Sequence, residues 1–157
     1  MKSYLRLAVF TALLGLAPVA MAISTESAAT ELIQRQHVGR NLKTLATAVA
    51  QRTQTFAMMA SKLGMPATQS LVAKELDAYA GKFQDQWNAN LATIYARHFS
   101  AEELVSLTAQ GSNSPYAPKL AAKQNVIGAE MQQLSTPILT AYVSAAMNSA
   151  FAKFSNR

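Results

Sequence analysis

Val72, Leu76, Tyr79, Phe83, Trp87, Leu91 and Ile94 recur every three or four residues, with Tyr95 at the edge of the same stripe. Only an α-helix returns side chains to one face at that spacing, so the stretch predicts a long helix with its aromatics in a core. Gly81 within it costs about 1 kcal/mol against alanine, which weakens the helix without cancelling it. No alternating run of β-branched residues occurs anywhere in the chain. An all-α fold follows.

The remaining apolar residues extend the pattern. Leu42, Leu45, Val49, Phe56, Met59 and Leu63 fall on one stripe once the slot at Arg52 is included, which predicts one long helix ended by Gly64 and Pro66. Arg52 then sits where an apolar side chain belongs, and is expected to reach the bundle edge or to pair with Glu75, Asp85 or Glu130. Upstream, Leu32, Ile33 and Val38 predict a preceding helix that breaks near Gly39. Ser100 followed by Glu103 is a capping box, in which the hydroxyl and the carboxylate each satisfy an amide at the helix start. That helix carries Leu104 and Leu107 and stops at the loop GSNSPYAP. Beyond Pro118 the pattern resumes with Leu120, Ile127, Met131 and Leu134; Thr136-Pro137 predicts a kink or a fresh start, and Leu139, Val143, Ala146, Ala150 and Phe154 form a last helix. The sum is one bundle of five or six helices.

The first residues set the expected compartment. MKSYLR supplies two positive charges, LAVFTALLGL an apolar run too short for a stable anchor, and Ala20-Met21-Ala22 a small-residue ending after Pro18. These are the parts of a secretory signal peptide over residues 1–22, with cleavage expected after Ala22 and a mature chain beginning at Ile23. Removing 22 residues from the 157 leaves 135, enough for a single domain with one core. The expected mature domain, 23–157, contains no transmembrane span. It has no cysteine, so thiol chemistry and disulfides are excluded and packing supplies the stability. Without Lys2 and Arg6 it carries 12 basic and 8 acidic side chains, a formal charge of +4. That is too mild to imply nucleic acid.

An aromatic residue, then S-x-x-E-L, then Ser-Pro and basic residues, all after a secretory signal, resembles a bacterial exported family catalogued only as a domain of unknown function. The matching residues are Phe99, Ser100, Glu103, Leu104, Ser114, Pro115, Lys119 and Lys123, within a family-like region of about 67–151. The chain departs from the family pattern at Ala109–Asn113, which precede Ser-Pro, and at Ala117 and Pro118. The resemblance implies a helical periplasmic protein and no particular chemistry.

Chemistry-bearing patterns are sparse. His37 and His98 lack the spacing of a shared helical metal face. Gly111-Ser112-Asn113-Ser114-Pro115 lacks the second glycine and the preceding strand of a nucleophile elbow, so Ser114 reads as a turn residue. Adjacent Glu102 and Glu103 point to different sides of a helix. Met58, Met59 and Met65 could in principle hold cuprous ion through thioethers, yet Met59 lies on the apolar stripe and core filling is the reading adopted. No catalytic residue, cofactor or metal is expected. The loop with Tyr116 is expected to be a rigid reversal that brings the Leu104 and Leu120 helices together.

Charge is segregated along the chain. Between Leu32 and Lys74 stand Arg35, Arg40, Lys43, Arg52, Lys62 and Lys74 with no acid among them. Arg40, Lys43 and Lys62 fall opposite the apolar stripe and form a candidate surface for an anionic partner. The functional expectation is a non-enzymatic binding or scaffolding module of the cell envelope, engaging an envelope protein or anionic component. The alternative is a hydrolase or lyase of envelope polymers whose carboxylates, such as Glu103, Glu130 and Asp85, are brought together by folding.

Overall fold

The computed structural model describes residues 23–156; the expected signal peptide and its cleavage point lie outside them. Six α-helices follow one another: α1 (Thr25–Gln36), α2 (Leu42–Ala50), α3 (Gln54–Leu63), α4 (Met65–His98), α5 (Ala101–Gln110) and α6 (Ala117–Ser155). One 3-10 turn, Gly111–Asn113, lies between α5 and α6, and no strand occurs among the described residues. The all-α bundle expected from periodicity is the fold observed.

Local chemistry accounts for most of the boundaries. Ser24 caps α1 by accepting from the Ser27 amide at 3.1 Å, and Glu26 and Arg35 complement the helix dipole at its two ends. The α1 terminator is His37, in the left-handed region at φ 52°, two residues before the expected break at Gly39. Thr53 caps α3 through the Phe56 amide, and Gly64 at φ 81° separates α3 from α4, which opens on Met65 with Pro66 in its first turn. Ser100 and Glu103 form the complete capping box at the start of α5. Gly111, at φ 55°, ends that helix.

Helices α4, of 34 residues, and α6, of 39, are the long axis of the bundle and make its most extensive contact. At 1.5 Å per residue they run roughly 50 and 58 Å. Val72, Leu76, Phe83, Trp87, Leu91 and Ile94 are buried as the α4 stripe requires, and Tyr95, expected at its edge, is fully inside. Tyr79 is half-buried. Tyr142 of α6 stacks obliquely on Phe83, centroids 5.2 Å apart, and donates its hydroxyl to the Leu76 carbonyl at 2.7 Å. Helix α1 packs on α4 and α5, while α2 packs on α4 and α6.

Two boundaries differ from expectation. The stripe from Leu42 to Leu63 belongs to two helices, because the chain turns at Gln51–Thr53 and Thr53 starts α3. The inward face of α2 is Leu42, Ala46 and Ala50, leaving Leu45 and Val49 exposed. Arg52 therefore stands in an exposed turn and needs no buried partner; none of Glu75, Asp85 or Glu130 forms a salt bridge with it among the described residues. At the other end, α6 runs through Pro137 without a break. Proline removes one amide donor there, but the helix is held on both sides by its packing against α4. Leu134, placed on the stripe, is exposed.

Candidate functional site

The loop motif is built as a clasp. Glu103 reaches back to the Ser100 amide at 2.9 Å and accepts from Lys119 Nζ at 2.6 and 2.7 Å, so one carboxylate joins the α5 start to the first turn of α6. Lys119 Nζ also lies 5.0 Å from the centre of the Phe99 ring, a cation–π contact. Lys119 and the Ser100 amide hold the Glu103 carboxyl below its ordinary value. It is a committed anion with its acceptor sites occupied, which is the opposite of a general base. Leu104 is wholly buried beneath it.

Ser114 is buried, 2.8 Å from the Ser106 hydroxyl, and accepts from the Tyr116 amide at 3.2 Å. Pro115 is exposed and the Tyr116 ring is half-buried against the core. Among the described residues the hydroxyl pair meets no acid or imidazole within hydrogen-bond reach, and its contacts tie α5 to the loop.

The basic residues separate. Lys43 forms an ion pair with Asp77 of α4, and Arg35 pairs with Glu31 at 3.0 Å. Arg40, in the turn after α1, and Lys62, in the last turn of α3, are exposed and form no salt bridge among the described residues. Met59 is core whereas Met58 and Met65 are exposed. Among the described residues no group of three His, Cys, Asp or Glu side chains could hold a metal ion.

The carboxylates do not converge. Glu130 meets His98 Nε2 at 2.7 Å and Arg97 at 3.3 Å, Glu103 meets Lys119, and Asp85 lines a separate cavity between α1 and α4. Glu75 is buried and accepts from Ser149 at 2.7 Å and Lys153 at 2.6 Å, which keep its carboxyl below the usual range. The His98–Glu130 contact spans 32 residues of sequence. No local pattern announces it.

The concave surface lies elsewhere. Helices α1 and α6 both rest on α4 but pack little on each other, which leaves a cleft whose floor is Trp87, Leu91 and Tyr95. Three adjoining cavities make it up. The first, of 380 Å³, is bounded by Leu45, Trp87, Met131 and Leu139; the second, of 150 Å³, shares Trp87, Gly128 and Met131 with it; the third, of 290 Å³, shares Val38 and Tyr95 with the second. No charged side chain lines any of the three. Trp87 is 4% exposed, and its Nε1 is the one fully buried side-chain nitrogen or oxygen without a hydrogen-bond partner among the described residues.

No family model, curated protein or solved structure matches this chain. Its own geometry carries the functional argument. No helix among the described residues is long and apolar enough to cross a membrane.

Proposed function

We propose that this chain is an exported helical protein of the cell envelope that binds a partner without transforming it, through the cleft over α4. The observation that carries this reading is the lining of the cleft: apolar and aromatic walls, polar groups that are all neutral, and a buried indole N–H left without an acceptor. A concave surface with apolar and aromatic walls and neutral polar groups is the default place for a ligand to bind. The resemblance of Phe99, Ser100, Glu103, Leu104, Ser114 and Pro115 to an exported helical family, and the signal-like residues 1–22, support the compartment. The basic residues Arg40 and Lys62 remain available for a secondary contact with anionic envelope surfaces.

Catalysis on envelope polymers has less support. It would require at least two cooperating carboxylates, whereas Glu75, Glu103 and Glu130 each serve a different set of partners. The test is a crosslinked pulldown from the envelope, with mass spectrometry of both the proteins and the lipids that come with it, run in parallel on the wild-type chain and on Gly128→Leu. Gly128 borders two of the cavities and a Cβ added there meets nothing within 4 Å, so leucine adds bulk at the cleft without a clash. A partner captured by the wild type and lost by the variant is expected; identical capture by both contradicts the reading.

A further inference from the structure

We propose that the cleft over α4 takes a neutral acyl ester or amide, its hydrocarbon chain lying along α6 and its carbonyl oxygen accepting from Trp87 Nε1. The inference rests on the binding reading above and identifies the ligand for that site.

Shape comes first. Leu120 and Leu139, at the two ends of the cleft, are separated by roughly 28 Å of α6 at 1.5 Å per residue. The middle section, at 150 Å³, is much smaller than the 380 and 290 Å³ sections it joins. One turn of a helical peptide, about 10 to 12 Å across with its side chains and about 5.4 Å long, occupies roughly 400 Å³ or more, well above the 150 Å³ of the middle section. A polymethylene chain is far slimmer.

Hydrogen-bonding capacity excludes an extended peptide as well. Each residue of a buried strand needs partners for one N–H and one C=O. In the middle section Val38, Leu91, Ile127 and Met131 supply none, which leaves Asn41, Tyr95 and Gln124 beside the Trp87 indole. The polar side chains of the cleft are neutral, and some are already engaged: the Ser135 hydroxyl accepts from Asn90 at 3.0 Å and donates to the Met131 sulfur at 3.3 Å, and Tyr95 is hydrogen-bonded to Gln124. A sulfur is a weak acceptor for a buried hydroxyl. The cleft thus suits a molecule that is apolar along most of its length.

Charge then selects the head group. Burying a carboxylate without a cation is expensive, and no Lys, Arg or His lines the cleft. A neutral carbonyl is the acceptor that a lone donor can serve. Buried indole N–H groups ordinarily have a partner, and Trp87 borders both of the first two cavities. Met131 borders them too, and its unbranched thioether is the side chain best able to shift as a carbonyl approaches. Gly128 keeps the opposite wall open.

Isothermal titration calorimetry on the folded chain with monolauroylglycerol, below the concentration at which it aggregates, tests the proposal. Saturable binding at one site per chain is expected. Trp87→Phe keeps the ring and removes the donor, and should weaken binding about threefold to tenfold, the worth of one neutral hydrogen bond. Gly128→Leu should weaken it at least about tenfold while the melting temperature holds or rises, since leucine is a better helix former than glycine. Laurate, with a charged head, should bind at least about tenfold more weakly than the ester. Absence of saturable binding, equal affinity for laurate, or unchanged affinity in Gly128→Leu overturns the assignment. Binding of an apolar leucine-rich helical peptide in place of the ester also overturns it. If the ester fails while the envelope pulldown still loses its partner in Gly128→Leu, the ligand class is wrong and the binding module stands. If the pulldown is indifferent to Gly128→Leu too, both fall.

Discussion

Lys119 Nζ lies 2.6 and 2.7 Å from the two carboxylate oxygens of Glu103, across the loop that separates α5 from α6. The same carboxylate accepts from the Ser100 amide, so a helix cap and an interhelical tie share one side chain. Glu103→Gln should lower stability by about 1 kcal/mol at pH 7, since the amide can still reach the cap but loses the ion pair. The pH dependence has a definite sign. Because the folded-state carboxyl titrates below its ordinary 4.5, the contribution is fully present above that value and is lost as pH falls through the lower one. The gap in melting temperature between wild type and Glu103→Gln should be constant from about pH 7 to 5 and close below that. A gap that widens on acidification contradicts the role given to this pair.

Glu75 is 1% exposed, and Lys153 supplies its counter-charge from the last turn of α6. Lys153→Met should destabilise by about 2 kcal/mol, below the usual range for a broken buried pair because half of the Lys153 side chain faces water. Adding Glu75→Leu should then recover stability, since the uncompensated charge is gone. Urea denaturation of the single and double variants decides the matter. A double variant no more stable than Lys153→Met alone would show that Glu75 contributes by packing rather than as a paired anion.

The reversal at Gly111–Pro118 should behave as structure. Ser114→Ala removes partners from the Ser106 hydroxyl and the Tyr116 amide and should cost about 1 kcal/mol. Tyr116→Ala, which strips a half-buried ring from the core edge, should cost roughly 1 to 3 kcal/mol. Ligand binding should be unchanged in Ser114→Ala. A hundredfold loss of any function in that variant, at an unaltered melting curve, would make the loop a site.

Much of this architecture was legible in the residues themselves. Ser100 and Glu103 specify a helix start by direct hydrogen bonding, and the stripe from Val72 to Ile94 specifies α4 by periodicity, both being local properties. The break between α2 and α3 was hidden because Thr53, a β-branched residue in mid-pattern, serves as a cap. The continuity of α6 was hidden because proline's local preference is overridden by tertiary packing against α4. The cleft was illegible for a different reason. Its walls come from Val38, Leu45, Trp87, Gly128 and Leu139, which lie on three helices and the α1–α2 turn, and Trp87 reads as an ordinary core residue until its unpaired N–H is seen.

Gly39 shows a close approach that the sequence hinted at only as a helix break. It is buried, its carbonyl accepts from Gln84 at 2.9 Å, and a Cβ there would overlap the Asn88 amide. Gly39→Ala should force Asn88 away from its 2.8 Å bond with Gln84 and lower stability by about 1 kcal/mol. A neutral or stabilising effect in thermal unfolding would mean that α1 and α4 separate at this point without cost.

The chain has a single tryptophan, so the binding site reports on itself through one indole resonance. With nitrogen-15 tryptophan incorporated, the Trp87 Nε1–H signal can be followed while a soluble extract of the cell envelope is added and ligand uptake is monitored in parallel by native mass spectrometry. The account predicts that this signal moves downfield in step with uptake, as the unpaired donor gains an acceptor, and that uptake and shift are both strongly reduced in Gly128→Leu. An indole signal that stays in place while the wild-type chain takes up ligand would contradict the claim that the cleft over α4 is where this protein binds.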